Sequence, residues 1–485
     1  MMHTYRFRTL AVATVLSLLT GCMVGPNYKG TPDVAGASSQ EAFHRAGHLA
    51  AGTPVAAWWK GLGDLQLNQL IDDAFAASPD LQVAEAKLQQ SRASLRKSRD
   101  DLLPSTGASA LYMKSKGLTN ALGGSQQGSG DSGGQSSSDT MAFYDVGFDA
   151  TWEIDLFGGQ RRAIEGARAR EASAVANLDD AKVTLAAEVA DAYVSLRELQ
   201  QRMDLAQRNV EIQTRTLALE KARRAGGSAS DLDVERLNHQ LESTRADAIP
   251  LQAQIAEQLD RLAILTGRLP GQLDSQLAMH AALPMPPERG EVGAPAAMLR
   301  RRPDIRAAEQ SLVEKNALVG QRTADFFPKV ELFGTIGYGA PQSGGLFNSD
   351  NLTYVAVPVL QWKPFDFGRT RANINEAKGE YAQAIATYKK TVLGALQDAE
   401  TSLARFGHQR ESVDSLSGVL ASADRAARMT DIRAQGGTAT TLDQLDAERQ
   451  RVTAQTSLLQ ARADLTRDYI ALQKSLGLGW APTDG

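Results

Sequence analysis

Between residues 185 and 217, apolar or small side chains return at Leu185, Val189, Ala192, Leu196, Leu199, Met203, Ala206, Val210 and Leu217. The steps are 4, 3, 4, 3, 4, 3, 4 and 7, the heptad seam of helices that supercoil around a partner. The pattern predicts a very long helix over 161–223, and its counterpart over 372–434. Gly226-Gly227 and Gly436-Gly437 end these helices and turn the chain, since glycine accepts backbone angles that other residues avoid. A further helix follows each turn, over 231–266 and 441–476.

A shorter period runs through 143–152. Tyr144, Val146, Phe148, Ala150 and Trp152 alternate with Phe143, Asp145, Gly147, Asp149 and Thr151, which predicts a strand with one apolar and one mostly polar face. Residues 329–339 and 352–360 play the same parts less cleanly. Before the strands, helices are expected over 79–103 and 303–327. Each stops at a proline, because the residue before proline is pushed out of the helical region.

These elements form a repeat. Ser78-Pro79-Asp80-Leu81 matches Arg302-Pro303-Asp304-Ile305, and Asp101-Leu102-Leu103-Pro104 matches Asp325-Phe326-Phe327-Pro328, both at an offset of 224. Gly226-Gly227-Ser228-Ala229 and Leu232-Asp233 match Gly436-Gly437-Thr438-Ala439 and Leu442-Asp443 at an offset of 210. The difference of 14 falls where the Gly/Ser-rich 117–139 segment lies. The expected fold is mainly α with membrane β, in two tandem helix–strand–strand–helix–helix repeats. The expected domains are a signal at 1–21, an arm at 22–60, and repeats at 61–280 and 281–485.

The two shorter helices of a repeat together match the long one in length, so they can run alongside it as a rod of roughly 95 Å. Four strands cannot close a membrane barrel, and open sheet edges are not tolerated in lipid. If the strands enter a membrane, copies of the chain must join.

Composition removes alternatives. The 485 residues carry a formal net charge of -4, which argues against nucleic acid as a partner. The six histidines lack metal-site spacing, and no nucleophile motif or phosphate loop occurs, so no enzyme activity, catalytic residue, metal or cofactor is expected. Residues 1–22 read as a secretory signal, with His3, Arg6 and Arg8 before an apolar core over 10–19 that is too short to span a bilayer. The signal ends in Leu19-Thr20-Gly21-Cys22, and Cys22 is the only cysteine in the chain. That end resembles the bacterial lipoprotein motif, which implies a covalent lipid on Cys22. Met23 stands where an aspartate tends to hold such proteins at the inner membrane, which implies the outer membrane.

Nearly the whole mature chain resembles the TolC-like outer-membrane efflux channels, in the lipoprotein branch that works with resistance–nodulation–division (RND) pumps. The resemblance rests on Leu19-Thr20-Gly21-Cys22 with Gly25-Pro26-Asn27-Tyr28, on Arg302-Pro303-Asp304-Ile305, on residues 152–158 (WEIDLFG) and on residues 442–450 (LDQLDAERQ). It implies a homotrimer with a twelve-stranded barrel on a long helical periplasmic tunnel. It also implies a lipid anchor in the outer membrane and two partners, a periplasmic adaptor and an inner-membrane RND-type transporter. The chain would then be a passive outlet for drugs or other small molecules.

The family narrows its tunnel near the second turn with inward carboxylates, and the matching positions are Asp443 and Asp446. Spacing i, i+3 sets both on one helix face. The plainer reading is that one caps the helix and the other is solvated. Where some members place latch residues, this chain has Arg433 and Thr438. Gly226, Gly227, Gly436 and Gly437 are candidates for adaptor contact as well as turns.

Three further features carry two readings each. The 117–139 segment is an external loop or a linker. Trp152 and Trp362 are interfacial or packing residues. Trp58-Trp59 is read as an anchor for the arm rather than a ligand site. The rival functions are a type I protein-secretion outlet and, more distantly, a periplasmic adaptor.

Overall fold

The computed structural model describes residues 23–34, 36–46, 50–51, 55–116, 140–287 and 291–480. Cys22, the signal and the 117–139 segment lie outside the described residues. In chain order the elements are β1 (Ala50–Ala51), α1 (Leu65–Ala77), α2 (Pro79–Asp100), β2 (Ser105–Lys116), β3 (Thr140–Ile154), α3 (Gly159–Ala225) and α4 (Asp231–Leu265). They continue with α5 (Asp274–Leu277), β4 (Glu291–Val292), α6 (Pro295–Arg301), α7 (Pro303–Ala324), β5 (Lys329–Ala340), β6 (Leu352–Gln361), α8 (Arg369–Gln435) and α9 (Thr441–Ser475). The long helices α3 and α8 have 67 residues each, and α4 and α9 have 35 each. The helix–strand–strand–helix–helix order is therefore present twice, as expected. Among the described residues no helix is long and apolar enough to cross a membrane.

The chain forms two compact units. The first comprises residues up to Gly30, Gln90–Glu171 and Ser311–Ala384. Its centre is an antiparallel sheet of order β2-β3-β5-β6. The hairpin registers carry the duplication. Ser105 pairs with Thr151 in the first hairpin, and the offsets of 224 and 210 send that pair to Lys329 and Gln361, which pair in the second. Tyr144, Val146, Phe148, Ala150 and Trp152 share a face and lie beside Ala340, Tyr338, Ile336, Gly334 and Leu332. Asp145, Asp149 and Glu153 take the other face with Thr335 and Glu331. The expected period-2 division thus extends across strands. Every residue of β6 is exposed.

The two tryptophans at the strand–helix junctions make matching hydrogen bonds, Trp152 half-buried and Trp362 exposed. Trp152 Nε1 donates to Leu102 O at 2.9 Å, and Trp362 Nε1 donates to Phe326 O at 3.2 Å. The same offsets relate one bond to the other, so each repeat ties the end of its second strand to the turn before its first.

The second unit comprises Thr31–Gln89, Ala172–Gln310 and Ile385 onward. Here the heptad seam of α3 is buried at Leu185, Val189, Ala192, Leu196, Leu199, Met203 and Leu217. Leu199 and Met203 pack with Leu251 of α4, and Leu217 packs with Val234, Leu237 and Leu241, as knobs packing between facing helices do. Trp58 and Trp59 are buried in edge-on contact with Tyr469 and Phe75, so they do anchor the arm. The Arg302-Pro303-Asp304-Ile305 motif is a joint. The Arg302 guanidinium forks onto the Asp304 carboxylate at 3.0 and 2.7 Å and donates to Ser475 O at 2.6 Å, holding the start of α7 to the end of α9.

Trp152→Phe keeps an aromatic ring, though a smaller one, and removes the indole donor, whose hydrogen bond is expected to contribute about 1 kcal/mol. Thermal unfolding of the purified protein in detergent, followed by circular dichroism, should show a lower midpoint. An unchanged midpoint would mean that the junction bond contributes nothing.

Candidate functional site

The two turns at the ends of α3 and α8 share one geometry. Gly227 and Gly437 have φ of 75° and 72°, the left-handed region in which glycine avoids a side-chain clash. Gly226 and Gly436 do not need that freedom. Ser228 N donates to Arg223 O at 2.8 Å and Gly227 N to Arg224 O at 2.9 Å. Thr438 N donates to Arg433 O at 2.8 Å and Gly437 N to Ala434 O at 3.0 Å. This pair of bonds is the Schellman closure of a helix end.

Both following helices begin with capping boxes, Ser230 with Asp233 and Thr440 with Asp443. Thr440 N and Oγ1 each donate to Asp443 Oδ2 at 2.8 Å, and Asp443 N donates to Thr440 Oγ1 at 3.2 Å. The backbone and hydroxyl bonds from Thr440 hold the Asp443 carboxyl below its ordinary range, with Arg433 adding to the effect. The bonds from Ser230 do the same for Asp233. Asp443 is therefore a cap, and its counterpart in the first repeat is a cap too. Asp446 differs. It is exposed, lies 3.4 Å from Arg449, and has Arg236 as its first-repeat counterpart.

Arg433 is engaged within its own turn. Its Nη2 donates to Thr438 O at 3.4 Å, and Thr438 Oγ1 donates back to Arg433 O at 3.1 Å. Sequence reasoning missed a bridge between the two turns: Arg223 Nη1 donates to Thr441 Oγ1 at 3.0 Å, and Thr441 Oγ1 donates to Glu220 Oε2 at 3.2 Å. Glu220 is only 3% exposed. The step of 7 in the α3 seam was its signal, because it skips the buried Gln213, and the seam position after Leu217 is the buried Glu220.

The two ends also differ in packing. Over 204–243 the buried residues are Asn209, Gln213, Leu217, Glu220, Val234, Leu237 and Leu241, whereas over the matching 414–453 only Ala427 is buried. Few buried apolar contacts mean low local stability. Within one chain, the second hairpin end is held by its turn and caps rather than by a core.

The arm after Cys22 is fixed in the first unit. Arg162 is 1% exposed. Its Nε donates to Val24 O at 3.2 Å, and its Nη2 to Gly25 O at 3.4 Å and Asn27 Oδ1 at 2.7 Å. Its Nη1 pairs with Glu165 at 2.7 Å. Asn316 Nδ2 donates to Pro26 O at 3.0 Å. Gly25 lies so close to Gly320 that a side chain on it would sit 2.5 Å from the Gly320 Cα. The Gly25-Pro26-Asn27 motif is thus a fitted segment rather than a loose tether. No cluster of potential metal ligands occurs among the described residues.

The sequence profile of outer membrane efflux proteins matches residues 70–268 and 294–478. The pyoverdine export outer membrane protein OpmQ of Pseudomonas aeruginosa is 30% identical over 96% of this chain and 97% of its own length. Among solved structures, the outer-membrane channel OprN is 34% identical at a TM-score of 0.81, covering 95% of this chain and 100% of its own. The open state of the Neisseria gonorrhoeae MtrE outer membrane channel is 28% identical at a TM-score of 0.78, covering 94% and 98%.

The lowered Asp443 carboxyl contributes stability that is present above its unfolded value of about pH 4 and is lost as pH falls through the folded value. Amide exchange protection over 441–446 should therefore hold from neutral pH to about 4 and drop below it. Asp443→Asn should lower protection at neutral pH and abolish the acid step; an identical profile would contradict the cap. Arg162→Ala leaves Val24 O, Gly25 O and Asn27 Oδ1 without their donor and is expected to cost about 3 kcal/mol locally. Limited proteolysis should then cut within 23–30 severalfold faster, and an uncut arm would show that Arg162 does not hold it.

Proposed function

The chain belongs to the outer membrane efflux protein family and is the outer-membrane channel subunit of a tripartite efflux system; we propose that three copies close a ring around one pore. The observation that carries the ring is the four-stranded sheet with free edges at β2 and β6. In lipid, unpaired backbone groups at a sheet edge cost several kcal/mol each, so the strands must close on other copies. Three copies give twelve strands, an even number within the range of bacterial barrels. The chain does no chemistry of its own and gives passage to small molecules handed over by an inner-membrane RND-type transporter through a periplasmic adaptor. The paired glycine turns, Gly226-Gly227 and Gly436-Gly437, are the surfaces offered to that adaptor. Cys22 carries the lipid, and the clamp on Gly25-Pro26-Asn27 holds its anchor point at the body of the protein. The two repeats divide at 280/281, with the arm at 22–60 preceding them.

The second hairpin end is the gate. Its lack of a private core lets it move, while the first end keeps Leu217, Val234, Leu237 and Leu241 buried. Asp446, and Asp443 where its cap leaves an oxygen free, place carboxylates from each copy around the axis, a ring that favours cations. Arg433 braces the turn from which the gate helix starts.

The test is the conductance of purified trimers in a planar bilayer. Asp443→Ala with Asp446→Ala should weaken cation preference and change the closed-state conductance. Thr440→Ala removes the cap and keeps the charges, so it should leave cation preference in place. Unchanged conductance and selectivity in the double variant would remove the gate.

A further inference from the structure

We propose that a groove between the two helical hairpins of one chain, walled by α3 and α4 on one side and by α8 and α9 on the other, binds an amphiphilic organic cation. Its apolar body rests on the first hairpin, and its N–H groups meet carboxylates of the second. The site needs only the packing of a single chain, so it stands apart from the ring of copies and from the gate. Both hairpins belong to the second unit. The groove holds about 380 Å³, within the range of about 300–1,000 Å³ that small-molecule sites occupy.

The two walls differ in chemistry. Ile212, Leu219 and Leu237 line the first, joined by Leu445 from α9. Leu237 belongs to the buried leucine cluster of the first hairpin end, and Leu445 packs against it. Ile212 and Leu219 are 40% and 62% exposed, so the groove presents apolar surface that the chain itself leaves uncovered. The opposite wall carries Asp424 and Asp431 of α8 and Glu448 of α9. The offset of 210 sets Thr214, Lys221 and Asn238 at those places in the first repeat. The acidic wall is therefore a feature of the second repeat alone and was not copied with the architecture.

The chain's own guanidinium registers the field of these carboxylates. Arg451 Nε donates to Glu448 Oε2 at 2.8 Å. That bond holds the Arg451 guanidinium above its ordinary value, and Asp424 and Asp431 add to the effect against burial. Three carboxylates against two guanidiniums, Arg428 and Arg451, leave one negative charge over. A cleft lined mainly by one sign of charge concentrates ligands of the other. Gln213 supplies an independent observation. It is 7% exposed and lines the same groove, and its Oε1 has no hydrogen-bond partner among the described residues. A buried acceptor without a donor is unfavourable. An N–H carried by a cation meets that need and the excess charge together, whereas a hydrocarbon meets neither and an anion faces three carboxylates.

The probe is proflavine, a flat three-ring cation with two amino groups, and the comparison is fluorescein, a three-ring anion. Fluorescence anisotropy of each is titrated with the full-length protein in maltoside detergent, against detergent alone. Proflavine should bind saturably, at one site per chain, and fluorescein should not. Asp424→Asn with Asp431→Asn should weaken proflavine binding about tenfold, and Gln213→Leu should weaken it severalfold. Arg428→Gln, at an exposed position, removes a competing cation and should tighten binding severalfold. Asp443→Ala with Asp446→Ala should leave proflavine binding unchanged. No saturable binding, equal binding of fluorescein, or an unaltered constant in the Asp424 and Asp431 variant would overturn the site. Loss of binding in the Asp443 and Asp446 variant alone would place the cation at the gate and overturn the groove. If the Asp424 and Asp431 variant does not fold by circular dichroism, Arg428→Gln decides: tighter binding supports the groove, and unchanged or weaker binding removes it.

Discussion

A backbone N–H or C=O that faces hydrocarbon must find a partner, and β2 and β6 each present a row of such groups. That requirement shapes much of the rest of the molecule. It leaves the outer edges of the two outer strands of the four-stranded sheet unpaired within the chain, and β6 is exposed along its whole length. It also explains why the alternation of side chains matters more than their hydrophobicity. The apolar face is continuous from β3 to β6, through Phe148, Ile336 and Tyr354, while the opposite face keeps its carboxylates. A register slip of one residue would exchange the two environments.

Duplication supplies the second constraint. Two repeats that share hairpin register, turn closure and capping box can build one circumference with alternating seams. They have diverged at their hairpin ends. At the first hairpin end, leucines from both helices fill a seam that Glu220, Arg223 and Thr441 bridge to the second end. At the second, the helices carry charged pairs such as Asp446 with Arg449 and almost nothing buried. The first hairpin end is stabilised by buried leucines, and the second is held by local hydrogen bonds and by Leu445 packed against that cluster.

The arm shows how a tether becomes part of a scaffold. A buried guanidinium that gathers Val24 O, Gly25 O and Asn27 Oδ1 satisfies carbonyls that a loop would otherwise leave to water. Gly25 against Gly320 lets the two backbones touch. The segment from Val24 to Asn27 is therefore located rather than free.

Much of the architecture was legible in the residues. Heptad spacing, glycine pairs, Leu103-Pro104 and Phe327-Pro328, and the two offsets located the main helices and strands to within about three residues, because helix and strand periods and turn stereochemistry are local properties. Asp443 and Asp446 could be named from spacing, but not told apart. Only the folded backbone shows that Thr440 takes up one of them in a cap and leaves the other to a surface pair. The Arg162 clamp, the Glu220 bridge and the stacking of Phe157 on Phe327 join residues far apart along the chain, so no local period announces them. The sequence by itself determined the elements and their duplication. Tertiary structure alone decided which of two equivalent ends is packed, since that depends on which side chains meet across helices, and single-chain periodicity is blind to such meetings.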